Sequence, residues 1–209
     1  MYRAARNLNR CAISFNDLGL TIGRDRALEV LQRPPLNCEM LWDFFGEKII
    51  FFAQNLKNGS TKYIRGARLQ EAPATVDCSS FIWWLYSLMG IELERRSIDQ
   101  RRQGVPVEPD DVRAGDLVFA TGEKRSYWYD DEPEVTVGHV ALATGKGTII
   151  HACRQGVVED PIKSLIASER FRGIRRIVPD EKDFYTFSIP PRWEVTSTTD
   201  IRWLILQNL

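Results

Sequence analysis

The alternation of apolar and polar residues predicts helices in the first half of the chain and strands in the second. Apolar side chains from Met40 to Phe52 recur at roughly helical spacing until Asn58-Gly59-Ser60 ends the pattern. Asp77 is a favourable N-cap for a second, mostly apolar helix over residues 78–89, with Gly90 as its C-cap. Downstream the period becomes that of strands, which are predicted over 116–120, 139–144, 148–153 and 173–178. Helices followed by antiparallel strands are typical of an α+β domain.

The segments on either side of this pattern are expected to be extensions of one central domain. Residues 1–37 contain a short amphipathic stretch, 25–32, which a pair of prolines ends. Residues 180–209 are rich in aromatic side chains and end in a predicted helix over 200–207. We therefore predict a domain over 38–179, preceded by an N-terminal extension and followed by a C-terminal extension that packs on it.

Composition and charge narrow the class of protein. Hydrophobic residues make up 44% and charged residues 27% of 209 residues, as in an ordinary globular domain. Lys plus Arg (28) equals Asp plus Glu (28), so no net positive field favours nucleic acid or an anionic membrane as a partner. The apolar stretch 49–53 is far shorter than the roughly 20 residues that span a bilayer, so no integral membrane segment is expected.

The first ten residues are basic, but no sustained apolar stretch follows them, so the sequence as written shows no Sec signal. We expect the protein to be cytoplasmic or to be exported by another route. The oligomeric state is left open.

One cysteine stands out among four that are widely scattered. Without a Cys-x-x-Cys pair, a structural zinc site or a dense disulfide framework is disfavoured. Cys78 is predicted to lie in the first turn of a helix, where unpaired N–H groups and the helix dipole lower a thiol's pKa. Its polar neighbours Asp77 and Ser79 suit the edge of a cleft, whereas a buried structural cysteine is the alternative. The four cysteines are Cys11, Cys38, Cys78 and Cys153.

The two histidines of the chain, His139 and His151, fall on successive predicted strands joined by Gly145-Lys146-Gly147. A three-residue turn places both imidazoles on one face as diagonal neighbours, whereas a two-residue turn places them on opposite faces. A cysteine nucleophile needs a base, and that base needs a third polar group to orient it. Cys78, His139 and His151 could fill these roles in that order, although each histidine alone could be structural.

Four motifs in order along the chain resemble those of the NlpC-type cysteine peptidases, a papain-like family that hydrolyses peptide bonds in bacterial cell walls. The resemblance extends over roughly residues 40–178 and implies a papain-like α+β domain with its nucleophile at a helix N-terminus. The motifs are Tyr63-Ile64-Arg65-Gly66, Asp77-Cys78-Ser79-Ser80-Phe81, Gly115-Asp116-Leu117-Val118-Phe119, and Gly138-His139-Val140-Ala141 followed by Ile150-His151-Ala152.

The resemblance also implies a role for individual residues. It makes Cys78 the nucleophile, His139 the base and His151 the third, orienting residue. It places a tyrosine beside the nucleophile and uses the residues that flank the cysteine to bind the free amino end of a stem peptide. The substrate-binding candidates are Tyr63, Asp77 and Ser79. For Asp77, simple capping of the helix is the competing interpretation.

The implied reaction is hydrolysis of the bond between D-glutamate and a diamino acid of the peptidoglycan stem, with no metal or cofactor. Ser80 and Ala67 stand where the family commonly has glycine, and residues 122–136 form a predicted polar and aromatic loop ahead of His139. These departures bear on the substrate rather than on the catalytic groups. A papain-like acyltransferase or lipid or amide hydrolase with the same triad, and a module that binds wall peptide or protein without turnover, are the alternatives.

Overall fold

The computed structural model describes residues 2–5, 8–42, 45–122, 126–179 and 183–209. They form two compact units, each made of several stretches of chain. The terminal unit comprises Met1–Lys48, Tyr86–Leu93 and Asp180–Leu209, and the central unit comprises Ile49–Leu85 and Glu94–Pro179.

Both units contain helices and strands. In chain order the elements are β1 (Arg10–Ser14), α1 (Phe15–Leu18), α2 (Arg24–Gln32), β2 (Glu39–Trp42), α3 (Gly46–Leu56), β3 (Lys62–Tyr63), β4 (Thr75–Val76), α4 (Cys78–Leu88), α5 (Ser97–Arg101), β5 (Val105–Val107), β6 (Leu117–Ala120), β7 (Tyr127–Tyr129), β8 (Glu132–Val137), β9 (His139–Ala143), β10 (Thr148–Cys153), β11 (Gly156–Pro161), α6 (Ile162–Ile166), β12 (Phe171–Arg176), β13 (Phe184–Ser188) and α7 (Thr198–Gln207).

The terminal unit is built on a three-stranded antiparallel sheet of order β1-β13-β2. Its central strand comes from the end of the chain and its outer strands from the beginning. Buried apolar side chains of β1, α2 and α7 form one cluster with Phe187 of β13. The last helix has Ser197 as its N-cap: the Ser197 hydroxyl accepts from the Thr199 N–H, and the Ser197 N–H donates to the Asp200 carboxylate.

The central unit contains a six-stranded antiparallel sheet of order β11-β10-β9-β6-β12-β5. Side chains of one face form a buried apolar cluster with Ile162 of α6, because the period of two brings alternate residues of each strand to the same face. The cluster consists of Val118, Ala141, Ala143, Ile149, Ile162 and Ile174.

An ion pair joins the adjacent strands β6 and β12 at one end. Both carboxylate oxygens of Asp116 accept from the Arg176 guanidinium, at 2.9 and 2.8 Å, and the Arg113 N–H donates to the same carboxylate. The Asp116 side chain is almost fully buried, so its charge depends on this bidentate partner. The motif Gly115-Asp116-Leu117-Val118-Phe119 therefore has a structural role.

The α+β prediction is confirmed, and the strand of residues 148–153 has the predicted bounds. The helix predicted from Met40 is wrong in its first part. Met40 and Leu41 lie in strand β2, which pairs with β13, and the helix begins only at Gly46. Pairing with a strand distant in sequence overrides the local periodicity here. Phe44, which the same prediction included, lies outside the described residues.

One other expectation differs from the structure, and one stays a prediction. Residues 127–136 of the segment 122–136, predicted as a loop, belong to the antiparallel hairpin β7–β8, and residues 123–125 of that segment lie outside the described part. The predicted domain over 38–179 stays a prediction. The compact units divide the chain differently, because 38–48 and 86–93 belong to the terminal unit together with both predicted extensions.

Within the described ranges, the search for a helix that is both long and apolar enough to cross a bilayer finds none.

Candidate active site

Cys78 is the first residue of α4, at a helix start that the sequence fixes by a reciprocal cap. The Ser80 N–H donates to the Asp77 carboxylate and the Asp77 N–H donates to the Ser80 hydroxyl, each at 2.8 Å. The predicted capping role of Asp77 is therefore confirmed. Ser80, a departure from the glycine of the family pattern, supplies half of this cap.

The pKa of the Cys78 thiol shifts in the direction opposite to the one predicted. Burial of the side chain, which is 7% exposed, and then the negative charge of Asp77 raise the pKa of Cys78 to about 11. Hydrogen bonds from the backbone amides of Val140 and Ser79 act the other way but are weaker. The thiol donates a long hydrogen bond of 4.0 Å to the Gly138 carbonyl. Position at a helix N-terminus is thus outweighed by desolvation and an adjacent carboxylate.

The two histidines lie where the hairpin argument puts them. Strands β9 and β10 pair with Ile149 opposite Ala143 and Ile150 opposite Leu142, which is the register of a three-residue turn. The His139 Nε2 and His151 Nδ1 atoms are 3.0 Å apart, and the two rings meet edge to face. The predicted diagonal neighbourhood of the imidazoles is confirmed.

Burial also favours the uncharged form of His139. Together with smaller contributions from His151 and Arg170, it lowers the pKa of His139 to about 3. The pKa shifts of Cys78 and His139 thus both favour neutral groups, a thiol and an imidazole.

A carboxylate that the sequence analysis missed lies behind the second histidine. The His151 Nε2 and Asp160 Oδ2 atoms are 2.9 Å apart, so three polar side chains form a row from β9 through β10 to β11. Asp160 belongs to β11, a strand that the analysis did not predict. The signal available in the sequence was a second hairpin, in which Arg154-Gln155 separates β10 from the Val157-Val158 pair.

The Asp77 carboxylate is held by a cation that the sequence analysis also missed. Arg95 donates to both carboxylate oxygens, at 3.1 and 2.6 Å, and to the Ser79 hydroxyl at 2.8 Å. The Gly66 N–H donates to Asp77 as well. Burial raises the pKa of Asp77, but hydrogen bonds from Arg95 and Ser80 outweigh it and hold the value below its usual range. Both oxygens of Asp77 are thus already occupied.

All six predicted site residues line one cavity of about 1130 Å³ within the central unit. Tyr63 lies on its wall, and burial, with smaller contributions from Cys78 and Asp77, raises the pKa of Tyr63 to about 12. Five arginines face two aspartates around this cavity, so its rim is cationic. These charged residues are Arg65, Arg95, Arg96, Arg154 and Arg170, with Asp77 and Asp160.

The β7–β8 hairpin lies at the same cavity. Tyr127 is among the lining residues, and Trp128 next to it is 59% exposed. Arg102, the residue after α5, contacts the hairpin in two ways. It pairs with Asp131, and its guanidinium stacks 3.5 Å from the centre of the Tyr129 ring. In the described part of the chain, no group of three or more His, Cys, Asp or Glu side chains could hold a metal ion.

Two curated relatives match parts of the chain. A γ-D-glutamyl-L-lysine dipeptidyl-peptidase of Bacillus cereus is 33% identical over 105 residues, which are 49% of this chain and 29% of the relative. A peptidoglycan DL-endopeptidase of Bacillus licheniformis is 31% identical over 106 residues, 49% of this chain and 21% of the relative. The chain therefore spans less than a third of the length of either relative.

Structural and family comparisons agree with these matches. The crystal structure of an NlpC/P60 family protein from Bacillus cereus superposes with a TM-score of 0.50 at 27% identity, over 65% of this chain and 41% of the other. The family model described as "NlpC/P60 family" matches residues 60–176, more than half of the chain and a range that contains Tyr63, Cys78 and both histidines. The chain belongs to the NlpC/P60 family.

Proposed function

We propose that the protein is a cysteine peptidase that hydrolyses amide bonds of peptidoglycan stem peptides, between D-glutamate and a diamino acid. The observation that carries the proposal is one shared cavity that holds a thiol at a helix N-terminus and a hydrogen-bonded histidine pair. The names of the two relatives, a γ-D-glutamyl-L-lysine dipeptidyl-peptidase and a peptidoglycan DL-endopeptidase, support the substrate class.

The resting state sets how the reaction starts. Because burial favours the neutral thiol of Cys78 and the neutral imidazole of His139, proton transfer and attack are proposed to occur in one step. His139 takes the thiol proton while sulfur forms a bond to the amide carbonyl carbon. His151, 3.0 Å from His139, keeps the base oriented and shares the positive charge that develops.

The second half of the reaction returns the enzyme to its resting state. His139 gives its proton to the leaving amine nitrogen, the C–N bond breaks, and a thioester with Cys78 remains. His139 then takes a proton from water as the hydroxyl adds to the thioester carbon. The C–S bond breaks, and His139 returns this proton to the Cys78 sulfur. The backbone N–H of Cys78, at the start of α4, is the proposed donor to the oxyanion.

The charge around the cavity supports a peptide that carries carboxylates. A γ-linked D-glutamate keeps its α-carboxylate free. Such a group is complemented by the rim arginines other than Arg95, which pairs with Asp77, and Arg96, which pairs with Asp99. Tyr63 and Ser79 are proposed to contact the same peptide. For Asp77, contact with the free amino end competes with Arg95, which already occupies both carboxylate oxygens.

The first prediction concerns turnover. The purified protein is expected to cleave a synthetic L-Ala-γ-D-Glu-diamino acid tripeptide after D-glutamate, as seen by mass spectrometry of the products. Cys78→Ala is expected to lose this activity completely, because it removes the proposed nucleophile. Cys38→Ala, which removes a thiol that lies outside the cavity, serves as the matched control.

Each other result has a definite reading. Cleavage that persists in Cys78→Ala would contradict the assignment of Cys78 as the nucleophile. Product in which the acyl group has moved to an added amine instead of water would favour the acyltransferase. Folded wild-type protein that binds the tripeptide but leaves it intact would favour the binding module.

A further inference from the structure

Asp160 extends the row of catalytic candidates on the same face of the sheet. In the β10–β11 ladder His151 lies opposite Val158, so Asp160 is its diagonal neighbour, as His151 is of His139 across β9 and β10. The hydrogen bonds along the row measure 3.0 and 2.9 Å. Two consecutive strand pairings thus produce one continuous chain of polar contacts from His139 to Asp160.

The backbone holds Asp160 in this position. Strand β11 pairs with β10 over six residue pairs, from Cys153 and Gly156 to Thr148 and Pro161. Just beyond Asp160, the Ile162 N–H donates to the Gly147 carbonyl at 3.1 Å. The carboxylate is therefore set by the sheet, although the Asp160 side chain itself is 57% exposed.

The direction of each hydrogen bond follows from the chemistry of the carboxylate. An ionised aspartate only accepts hydrogen bonds, so the facing His151 Nε2 carries the proton. The His151 Nδ1 of a neutral ring is then an acceptor, so the facing His139 Nε2 carries its proton as well. The remaining nitrogen of His139, Nδ1, is left unprotonated.

We propose that Asp160 is a positioning residue that fixes the tautomers of both histidines and so leaves Nδ1 of His139 free to accept the Cys78 proton. This inference rests on the proposed function for its catalytic meaning, but the tautomers are a property of the free protein. Without the carboxylate, nothing in the row distinguishes this proton arrangement from its reverse, in which Nε2 of His139 is the acceptor and Nδ1 is protonated.

A cation, Arg170, also acts on His139, and its positive charge lowers the pKa of His139. Asp160 acts on the same ring through the two hydrogen bonds of the row.

The experiment measures the tautomers directly. With two histidines in the chain, a ¹⁵N-histidine sample gives one pair of ring nitrogen signals for each ring. In the wild type at pH 8, both rings are expected as the Nε2–H tautomer. Asp160→Asn preserves the shape but can donate as well as accept, so both rings are expected to shift to a mixture of tautomers.

Turnover is measured on the same variants. Asp160→Asn is expected to reduce kcat by at least about tenfold with KM within about twofold, because the base is misoriented while the cavity is unchanged. Glu159→Gln is the matched control. It removes a carboxylate from the same strand that bonds Lys57 and Thr148 instead of a histidine, and it should change neither the tautomers nor kcat.

The outcomes separate the two proposals. Unchanged tautomers in a folded Asp160→Asn protein would overturn the positioning role, whatever the activity. A shift of tautomers in Asp160→Asn, together with a wild type that cleaves no stem peptide, would support the positioning role and contradict the proposed function.

Discussion

Cys78 shows that the environment of a nucleophile depends on more than its position in a helix. The α4 N-terminus favours a thiolate, but burial and the adjacent Asp77 raise the pKa of Cys78 to about 11. Asp77 cannot be removed without loss of the helix cap, which it shares with Ser80. The residue that starts the helix is thus one cause of a weakly acidic thiol.

The pH dependence of alkylation checks this directly. Since a folded-state pKa of about 11 leaves the thiol protonated near pH 7, the rate of Cys78 carboxamidomethylation by iodoacetamide is expected to rise about tenfold per pH unit from pH 6 to 9, without a plateau. Mass spectrometry of the peptide that contains Cys78 separates it from the other cysteines.

A plateau at or below pH 7 would contradict this expectation and indicate a preformed thiolate. Cys78→Ser, which lacks the thiol but keeps the other three cysteines, gives the background rate of those residues.

Site residues that lie close together in the sequence could be predicted, whereas those that only the tertiary fold brings together could not. The histidine pair follows from strand period and turn length, so it could be predicted. Arg95 and Asp77 are distant in sequence and meet through side-chain contacts that no local pattern encodes. The direction of the Cys78 pKa shift could not be predicted from the sequence either, because it depends on the balance between burial and backbone hydrogen bonds.

At the scale of elements, the turn between β9 and β10 decides whether a histidine pair exists. Gly145 and Gly147 flank Lys146 with φ of +73° and +81°, a region that other residues rarely adopt. A Cβ at Gly145 would lie 2.7 Å from the Ala114 backbone nitrogen, whereas one at Gly147 would meet nothing within 4 Å. The two positions share the same backbone demand but differ in their surroundings.

This difference makes a matched pair of variants. Gly147→Ala is expected to lower the free energy of unfolding by about 1 kcal/mol, from the positive φ alone. Gly145→Ala is expected to lose at least about 1 kcal/mol more, because the backbone of Ala114 must also shift. Urea unfolding at equal m-value measures both. Equal losses for the two variants would show that the close approach to Ala114 has no energetic weight.

Elements with strong local signals were predicted well, and those that depend on distant partners were not. The bounds of α4 follow from the Asp77 cap, the apolar spacing and Gly90 with φ of +80°. Strand β2 looked helical because its pairing partner, β13, lies at the far end of the chain. Strand β11 was not predicted, although it follows β10 after a tight turn. Asp160, which lies on β11 and contacts His151, was therefore missed as well.

At the scale of the whole molecule, the terminal unit depends on residues from both ends of the chain. Strand β13 lies between β1 and β2, and its Phe184 and Phe187 are fully buried. Without β13 the other two strands have no partner in that sheet, and a pair of isolated strands does not bury enough apolar surface to be stable.

Removal of the last thirty residues tests this dependence. A chain that ends at Pro179 is expected to lose the protection of the β1 amides, such as those of Cys11 and Ile13, in hydrogen exchange followed by mass spectrometry. A chain that lacks only Asn208 and Leu209 keeps β13 and α7 and should retain that protection. Full protection in the chain ending at Pro179 would contradict the central role of β13.

The strand order β1-β13-β2 has a consequence for biosynthesis. Ribosomes extend a chain by roughly 5–20 residues per second, so about ten seconds or more separate the synthesis of Ser14 from that of its partner Phe184. During this interval the nascent β1 and β2 segments have open edges and unburied apolar side chains, features that attract chaperones and promote aggregation. A premature stop ahead of β13 would therefore leave β1 and β2 exposed to aggregation.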